Sequence, residues 1–385
     1  MISVLYISHE TYEVAGSTRS LANHLHALRH DVQPLIVLPA NGPAAEHLRH
    51  LGYEVRIIPF RLNLAPNRLA WLKRPIRKIY DRWKNEQACR VLAPIIHDAG
   101  IQLLHSNTSA TIFGCQLARY LEEHEHRHIP HVWHLREFLD LDFGFTPLYG
   151  WSHLRKLIND ADATISITQA VHDHFISDMS NTRHHVVNDA IFSLSDVCQS
   201  SKQPYFVFCG KVIPEKGAEL ALDIFQKFNL EHAGYHLVYV GRVEASYQQH
   251  LEEKAKSYGI SDSISFEHFQ AEVQPFISKA TALLMCSSNE AQGRVTVEAM
   301  FYGTPVIAKA AGGTLEIVDD NINGLLFHSI DEGARQCRRI VEDSDLALSI
   351  IEKARQTAAS RFSEEVYREK IVQIYNSLLF NSPST

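Results

Sequence analysis

The chain has 385 residues, 45% of them hydrophobic and 21% charged, with a formal net charge of −7. That length accommodates two domains with complete cores, and the acidic balance gives no general reason to bind nucleic acid. Six scattered cysteines (Cys89, Cys115, Cys198, Cys209, Cys286, Cys337) point to reduced thiols rather than a disulfide or zinc framework.

The chain opens on a strand-like run, Ile2 to Ile7, and nowhere approaches the roughly 18 apolar residues of a membrane span, so a cytoplasmic protein is expected. Strand-like and helix-like segments then alternate from end to end, the pattern of doubly wound parallel sheets. In the first half, strands are predicted at Val4–Ile7, Leu35–Leu38, Val55–Ile58, Ile101–Leu104, His131–His134, Ala163–Ile167 and His185–Val187. The stripe Leu21, Leu25, Leu28 predicts a helix after the first of them. From Asp189 to Pro204 the sequence is polar, serine-rich and aperiodic, which predicts an interdomain linker. The alternation restarts at Phe206–Cys209 and continues through Leu237–Val240, Ile264–Phe266, Leu283–Met285, Val306–Ala308 and Leu325–Phe327. Asp331 to Leu379 reads as helical.

Between Arg61 and Lys84, eight basic residues face one acid, Asp81, with Trp71, Leu72, Ile76, Ile79, Tyr80 and Trp83 interleaved. Leu72, Ile76, Ile79 and Trp83 fall on one helical face. Two readings are open: a helix lying on an anionic membrane, or a helix packing its apolar stripe on the core and exposing a basic back.

The stretch Asn289–Met300, followed by Gly303–Ala308, carries the most chemistry. Ala282–Cys286 and Thr304–Ala308 read as strands, so a tight loop and a short helix closed by Gly303 lie between them. Glu290 falls in the loop and Glu298 in the helix's opening turns, at the carboxyl edge where parallel sheets bind ligands. Amides around Gly293 and Arg294 suit a phosphate. The two carboxylates repel phosphate, so their partners are neutral hydroxyls of a sugar or ribose. In Gly210–Gly217, Lys211 and Lys216 stand on the turn after the second half's first strand and can converge on a diphosphate. Gly312 and Gly313 permit close backbone approach, with Thr314 read as the cap of a helix carrying Glu316.

In this order the motifs resemble the retaining, nucleotide-sugar-dependent family-4 glycosyltransferases, whose Glu-(seven residues)-Glu signature matches Glu290 and Glu298. The resemblance implies the GT-B fold: α/β, two facing Rossmann-like domains with an interdomain cleft. It implies an acceptor-binding domain at 1–190, a nucleotide-sugar domain at 191–362, and a C-terminal helix, 363–385, crossing back to the first domain. Catalytic roles are implied for His134, Glu290, Lys211 and Lys216, with His134 facing the transferred sugar. Donor contacts are implied at Gly16, Arg136, Gly241, Phe269, Gln292, Gly293, Arg294, Val295, Glu298, Gly313 and Thr314. Lys211 replaces the usual arginine and Ala15 a usual glycine, and Gly241-Arg242-Val243-Glu244 resembles the family's Gly-x-Gly-x-Glu turn.

The implied reaction moves a hexose-type sugar from a nucleoside-diphosphate sugar, UDP rather than GDP, to a glycan or polyprenyl-lipid-linked acceptor in cell-surface polysaccharide biosynthesis. Retention, no metal and no other cofactor are implied, with no nucleic-acid partner. A catalytically silent scaffold of the same fold in a polysaccharide assembly complex is the alternative reading. The row His124, His126, His128, His131, His134 invites a metal, but alternate positions of one extended segment face one side instead of converging. Asp140-Leu141-Asp142 matches a metal motif of differently folded glycosyltransferases, and the two-domain pattern argues against it.

Overall fold

The computed structural model describes the chain except residues 12–15, 67–73, 177–182, 192–199, 271 and 381–385. Ala15, Arg68, Trp71, Leu72, Lys73 and Cys198 therefore lie outside the described residues. Two compact α/β units are present: Met1–Ala190 together with the chain from Glu365 onward, and Ile191–Glu364.

The first unit holds strands β1 (Ile2–Ile7), β2 (Val32–Leu38), β3 (Glu54–Ile57), β4 (Leu64–Pro66), β5 (Leu103–Ser106), β6 (His131–Leu135), β7 (Phe145–Pro147), β8 (Ala163–Ser166) and β9 (His184–Val186). Its helices are α1 (Gly16–Ala27), α2 (Pro43–His50), α3 (Arg74–Asp98), α4 (Phe113–Glu125), α5 (Asp140–Phe143), α6 (Trp151–Asp160) and α7 (Gln169–Phe175). Seven strands form one parallel sheet in the order β3-β2-β1-β5-β6-β8-β9, and β4 and β7 make a separate antiparallel pair that the alternation of the sequence did not signal. The apolar run Val4–Ile7 is fully buried because helices cover both faces of its sheet. Leu21, Leu25 and Leu28 pack α1 against it.

The second unit holds β10 (Gln203–Cys209), β11 (His236–Val240), β12 (Ile264–Phe266), β13 (Ala280–Met285), β14 (Val306–Lys309) and β15 (Leu325–Phe327). Its helices are α8 (Ala218–Asn229), α9 (Ala245–Ser257), α10 (Gln274–Lys279), α11 (Arg294–Phe301), α12 (Ile330–Glu342) and α13 (Ser344–Phe362). All six strands run parallel in the order β12-β11-β10-β13-β14-β15. Chain order reverses between β10 and β13, which puts the topological switch point, the usual ligand crevice, at their carboxyl ends.

After Phe362 the backbone extends through the buried Ser363, and α14 (Glu364–Phe380) follows. Tyr367, Ile371, Ile374 and Tyr375 recur at helical spacing and enter the core of the first unit beside Val4, Tyr6 and Leu21. The predicted linker needs correcting at both ends. β10 begins at Gln203, and Asp189 is a buried residue of the first unit, held by an ion pair with Arg136.

Candidate functional site

In the second unit the loops leaving β10 and β13 gather most of the expected residues. Lys216 ends a single 3-10 turn, Pro214–Lys216, and Gly217 closes it at φ +75°. A Cβ on Gly217 would stand 2.3 Å from the Cys286 carbonyl oxygen, so only glycine lets this turn pack against the chain leaving β13. That close approach seats Lys216 Nζ 2.7 Å from Glu290 Oε2, with the two side chains 34% and 18% exposed. The Glu290 carbonyl accepts from the Gly313 N–H at 2.8 Å, and a Cβ on Gly313 would lie 2.5 Å from the Ala291 carbonyl. The glycine pair thus fixes the backbone that carries Glu290.

Gly293, at φ +77°, N-caps α11 without a side-chain cap. The first turn of a helix presents N–H groups that have no partner within the helix, together with the positive end of its dipole. Gln292 is buried, Arg294 and Val295 begin α11, and Glu298 follows one turn later, 3.9 Å from Arg294. The buried hydroxyls of Ser287, Thr296 and Thr314 have no hydrogen-bond partner among the described residues, although buried polar groups are almost always paired. They lie in the chain segments that frame Glu290, and sequence reasoning missed the first two. Thr314 is not the cap expected of it: it sits inside the 3-10 helix Gly312–Glu316, whose N-cap is Ala311.

Lys211, Gly241 and Phe269 follow the ends of β10, β11 and β12. A Cβ on Gly241 would meet the Gly210 carbonyl oxygen at 1.8 Å, so both turns run in contact. Phe269 is exposed, with the Arg242 guanidinium 5.9 Å from its ring centroid. Lys211 is exposed.

The first unit carries Gly16, His134 and Arg136 of the expected residues. Gly16 begins α1 with nothing within 4 Å of a Cβ built on it. The His134 ring is fully buried within this unit. Its Nδ1 lies 3.3 Å from His105 Nε2 and 3.2 Å from an Arg136 nitrogen. His24 contacts the Tyr367 hydroxyl at 2.6 Å and the Tyr6 hydroxyl at 3.1 Å, and His105 Nδ1 contacts the Tyr375 hydroxyl at 2.7 Å. Two of these tyrosines belong to α14, so the cluster ties that helix to the sheet. Burial pushes the pKa values of His24, His105 and His134 well below the ordinary histidine value, and the nearby Arg136 charge adds to it.

Ring nitrogens of these three histidines lie within 4.8 Å of one another, a spacing a metal could use. Hydrogen bonds to the tyrosines already engage His24 and His105, and the adjoining guanidinium opposes a second cation. Arg136, expected to touch the donor, is buried and bonded to Asp189 and to Asn107 Oδ1 at 2.7 Å. Burial works against its charge, and Asp189 and Tyr367 together outweigh burial and raise the guanidinium pKa above its ordinary value.

The other candidate metal residues are dispersed. Asp140 faces His174 at 3.0 Å, while Asp142 accepts from the Phe138 N–H at 2.8 Å and is pushed up to about 6 by burial. His124 stacks on Tyr120, His128 faces Asp162, and His131 bonds Ser106.

Residues 196–357 match the family described as "Glycosyl transferases group 1", and residues 14–188 match the "Glycosyl transferase 4-like domain". The chain belongs to the family-4, group 1 glycosyltransferases. Over 182 residues, 47% of this chain and 51% of the relative, it is 29% identical to the lipopolysaccharide core biosynthesis glycosyltransferase LpsE of Rhizobium meliloti. It is 34% identical to a D-inositol 3-phosphate glycosyltransferase of Salinispora arenicola over 130 residues, 33% of this chain and 29% of that one. The matched segments thus span about half of these curated relatives or less. HepE of Anabaena, solved in complex with UDP and glucose, superposes with a TM-score of 0.77 at 20% identity, covering 98% of this chain and 100% of that one. The fold is therefore GT-B, as the motifs implied.

Proposed function

We propose that the chain is a retaining, metal-independent glycosyltransferase that takes a hexose-type sugar from a UDP-sugar to a glycan or lipid-linked acceptor in cell-surface polysaccharide biosynthesis. The observation that carries the reading is the Lys216–Glu290 contact of 2.7 Å beside the N-terminus of α11. A cation and helix amides there suit a diphosphate, and the carboxylate next to them suits the hydroxyls of the attached sugar. Lys216, the α11 amides and Lys211 neutralise the charge that builds on the departing diphosphate, a preorganised stabilisation that needs no ion. Glu290 binds donor-sugar hydroxyls and Glu298 the ribose. The acceptor hydroxyl attacks the face from which the diphosphate leaves. The C–O bond to the diphosphate breaks as the new glycosidic bond forms, and the acceptor proton passes to the diphosphate oxygen. The UDP and glucose bound to HepE support this choice of donor.

The experiment is a thermal-unfolding panel of UDP- and GDP-sugars, followed by transfer assays in excess EDTA. A bound donor at 100 times its Kd stabilises the fold by about 2.7 kcal/mol. Protection by UDP-sugars with EDTA-resistant nucleotide release is expected. No protection and no release from any donor would leave the silent-scaffold reading.

A further inference from the structure

We propose that the first turns of α3 are a docking surface for an anionic lipid bilayer, an inference independent of the transfer reaction. Ile76, Ile79, Tyr80 and Trp83 are 74%, 73%, 42% and 51% exposed. At about 100° per residue these four positions fill one continuous arc of the helix. The opposite arc carries Asp81, Asn85, Ala88, Cys89 and Leu92, all buried. Polar contacts hold that inner face: Asn85 Oδ1 accepts from the Arg61 N–H at 2.7 Å, and Asn85 Nδ2 donates to Gln116 at 2.7 Å. The helix is therefore seated with its leading apolar stripe pointing outward, the reverse of an ordinary amphipathic helix. The core-packing reading of this stripe does not hold.

Charge selects the occupant. Arg82 and Lys84 flank the apolar arc on its two sides. Lys84 Nζ lies 5.0 Å from the Trp83 ring centroid and 5.8 Å from that of Tyr80, and the Arg61 guanidinium lies 5.2 Å from the Tyr80 ring. Asp81, the single acid of Arg61–Lys84, is buried and faced by Arg77 at 3.3 Å and Arg61 at 3.7 Å, so it adds little negative charge to the surface. Aliphatic side chains for the acyl boundary, aromatic rings at headgroup level and flanking cations match an interfacial helix on anionic lipid. Among the described residues no helix is long and apolar enough to cross a membrane, so the contact is at the surface.

The test is co-sedimentation of the full chain with vesicles of phosphatidylcholine alone and of phosphatidylcholine mixed equally with phosphatidylglycerol. Binding to the mixed vesicles only, weakening with salt, is expected. Arg82→Ala with Lys84→Ala lowers that binding by about 30-fold, at about fivefold per cation. Ile76→Ser, Ile79→Ser and Trp83→Ser together abolish it. Both variants keep the wild-type unfolding midpoint, because every substituted side chain lies at the surface, and Arg77 is left in place to hold Asp81. Failure of the wild type to pellet with mixed vesicles at low salt overturns the proposal, as does equal binding by the triple variant. Self-association that the triple variant loses, without vesicle binding, would instead make this face an interface between two copies.

Discussion

Replacing Glu290 by Gln removes one charge and keeps the side chain's size and an acceptor oxygen. The effect on folding is small: the Lys216 partner is 34% exposed, and an ion pair so near solvent contributes below about 1 kcal/mol. The unfolding midpoint accordingly moves by at most about 4 °C for a unit of this size. The effect on transfer is large. A charge-assisted hydrogen bond to a sugar hydroxyl contributes roughly 1.5–3 kcal/mol, and at 1.36 kcal/mol per decade its loss lowers kcat by about 10- to 150-fold. Lys216→Met removes the phosphate-facing cation instead and weakens free UDP as well as the donor. Steady-state UDP release separates kcat from KM, and calorimetry with UDP separates the two variants. A folded Glu290→Gln protein with unimpaired transfer would refute the assignment. So would an activity loss matched by a midpoint shift far beyond 4 °C, which would make the pair structural.

Asp189→Asn leaves the buried Arg136 charge without its partner and destabilises the first unit by about 3–5 kcal/mol, read by urea denaturation. Adding Arg136→Met recovers much of that loss if the unpaired charge is the cause, and recovers none if Asp189 acts otherwise. Stability also falls with acid. Burial lowers the His131 pKa from 6.5 to about 3, so its contribution is complete above pH 6.5 and is lost as pH falls toward 3. Between pH 7 and pH 5 this one ring costs about 2 kcal/mol, from 1.5 pH units at 1.36 kcal/mol each. His24, His105 and His134 act in the same direction. Urea midpoints at the two pH values measure the slope, which His131→Gln makes shallower; an unchanged slope would show that the ring is not held neutral.

By itself the sequence determined the α/β class and nearly every strand of the two sheets, because residues buried on both faces leave continuous apolar runs such as Val4–Ile7 and Leu283–Met285. Glu290, Gly293 and Glu298 were legible as a group because one loop and one helix carry them, so their spacing is their geometry. The Lys216–Glu290 contact was not, since it depends on how closely Gly217 lets two loops meet, 74 residues apart in sequence. The same limit hid β4 and β7, three residues each and paired across about eighty positions, whose short runs carry no period. It also hid the surroundings of His134 and Arg136: strand position placed them at the sheet's edge, and only the fold brings His105 to His134 and Asp189 and Asn107 to Arg136. Direction decided α3 as well. Its apolar spacing predicted a helix correctly, and only the tertiary anchors Asn85, Ala88 and Leu92 settled which face turned to water, because periodicity fixes the relative angles of side chains and not the orientation of the helix on its core.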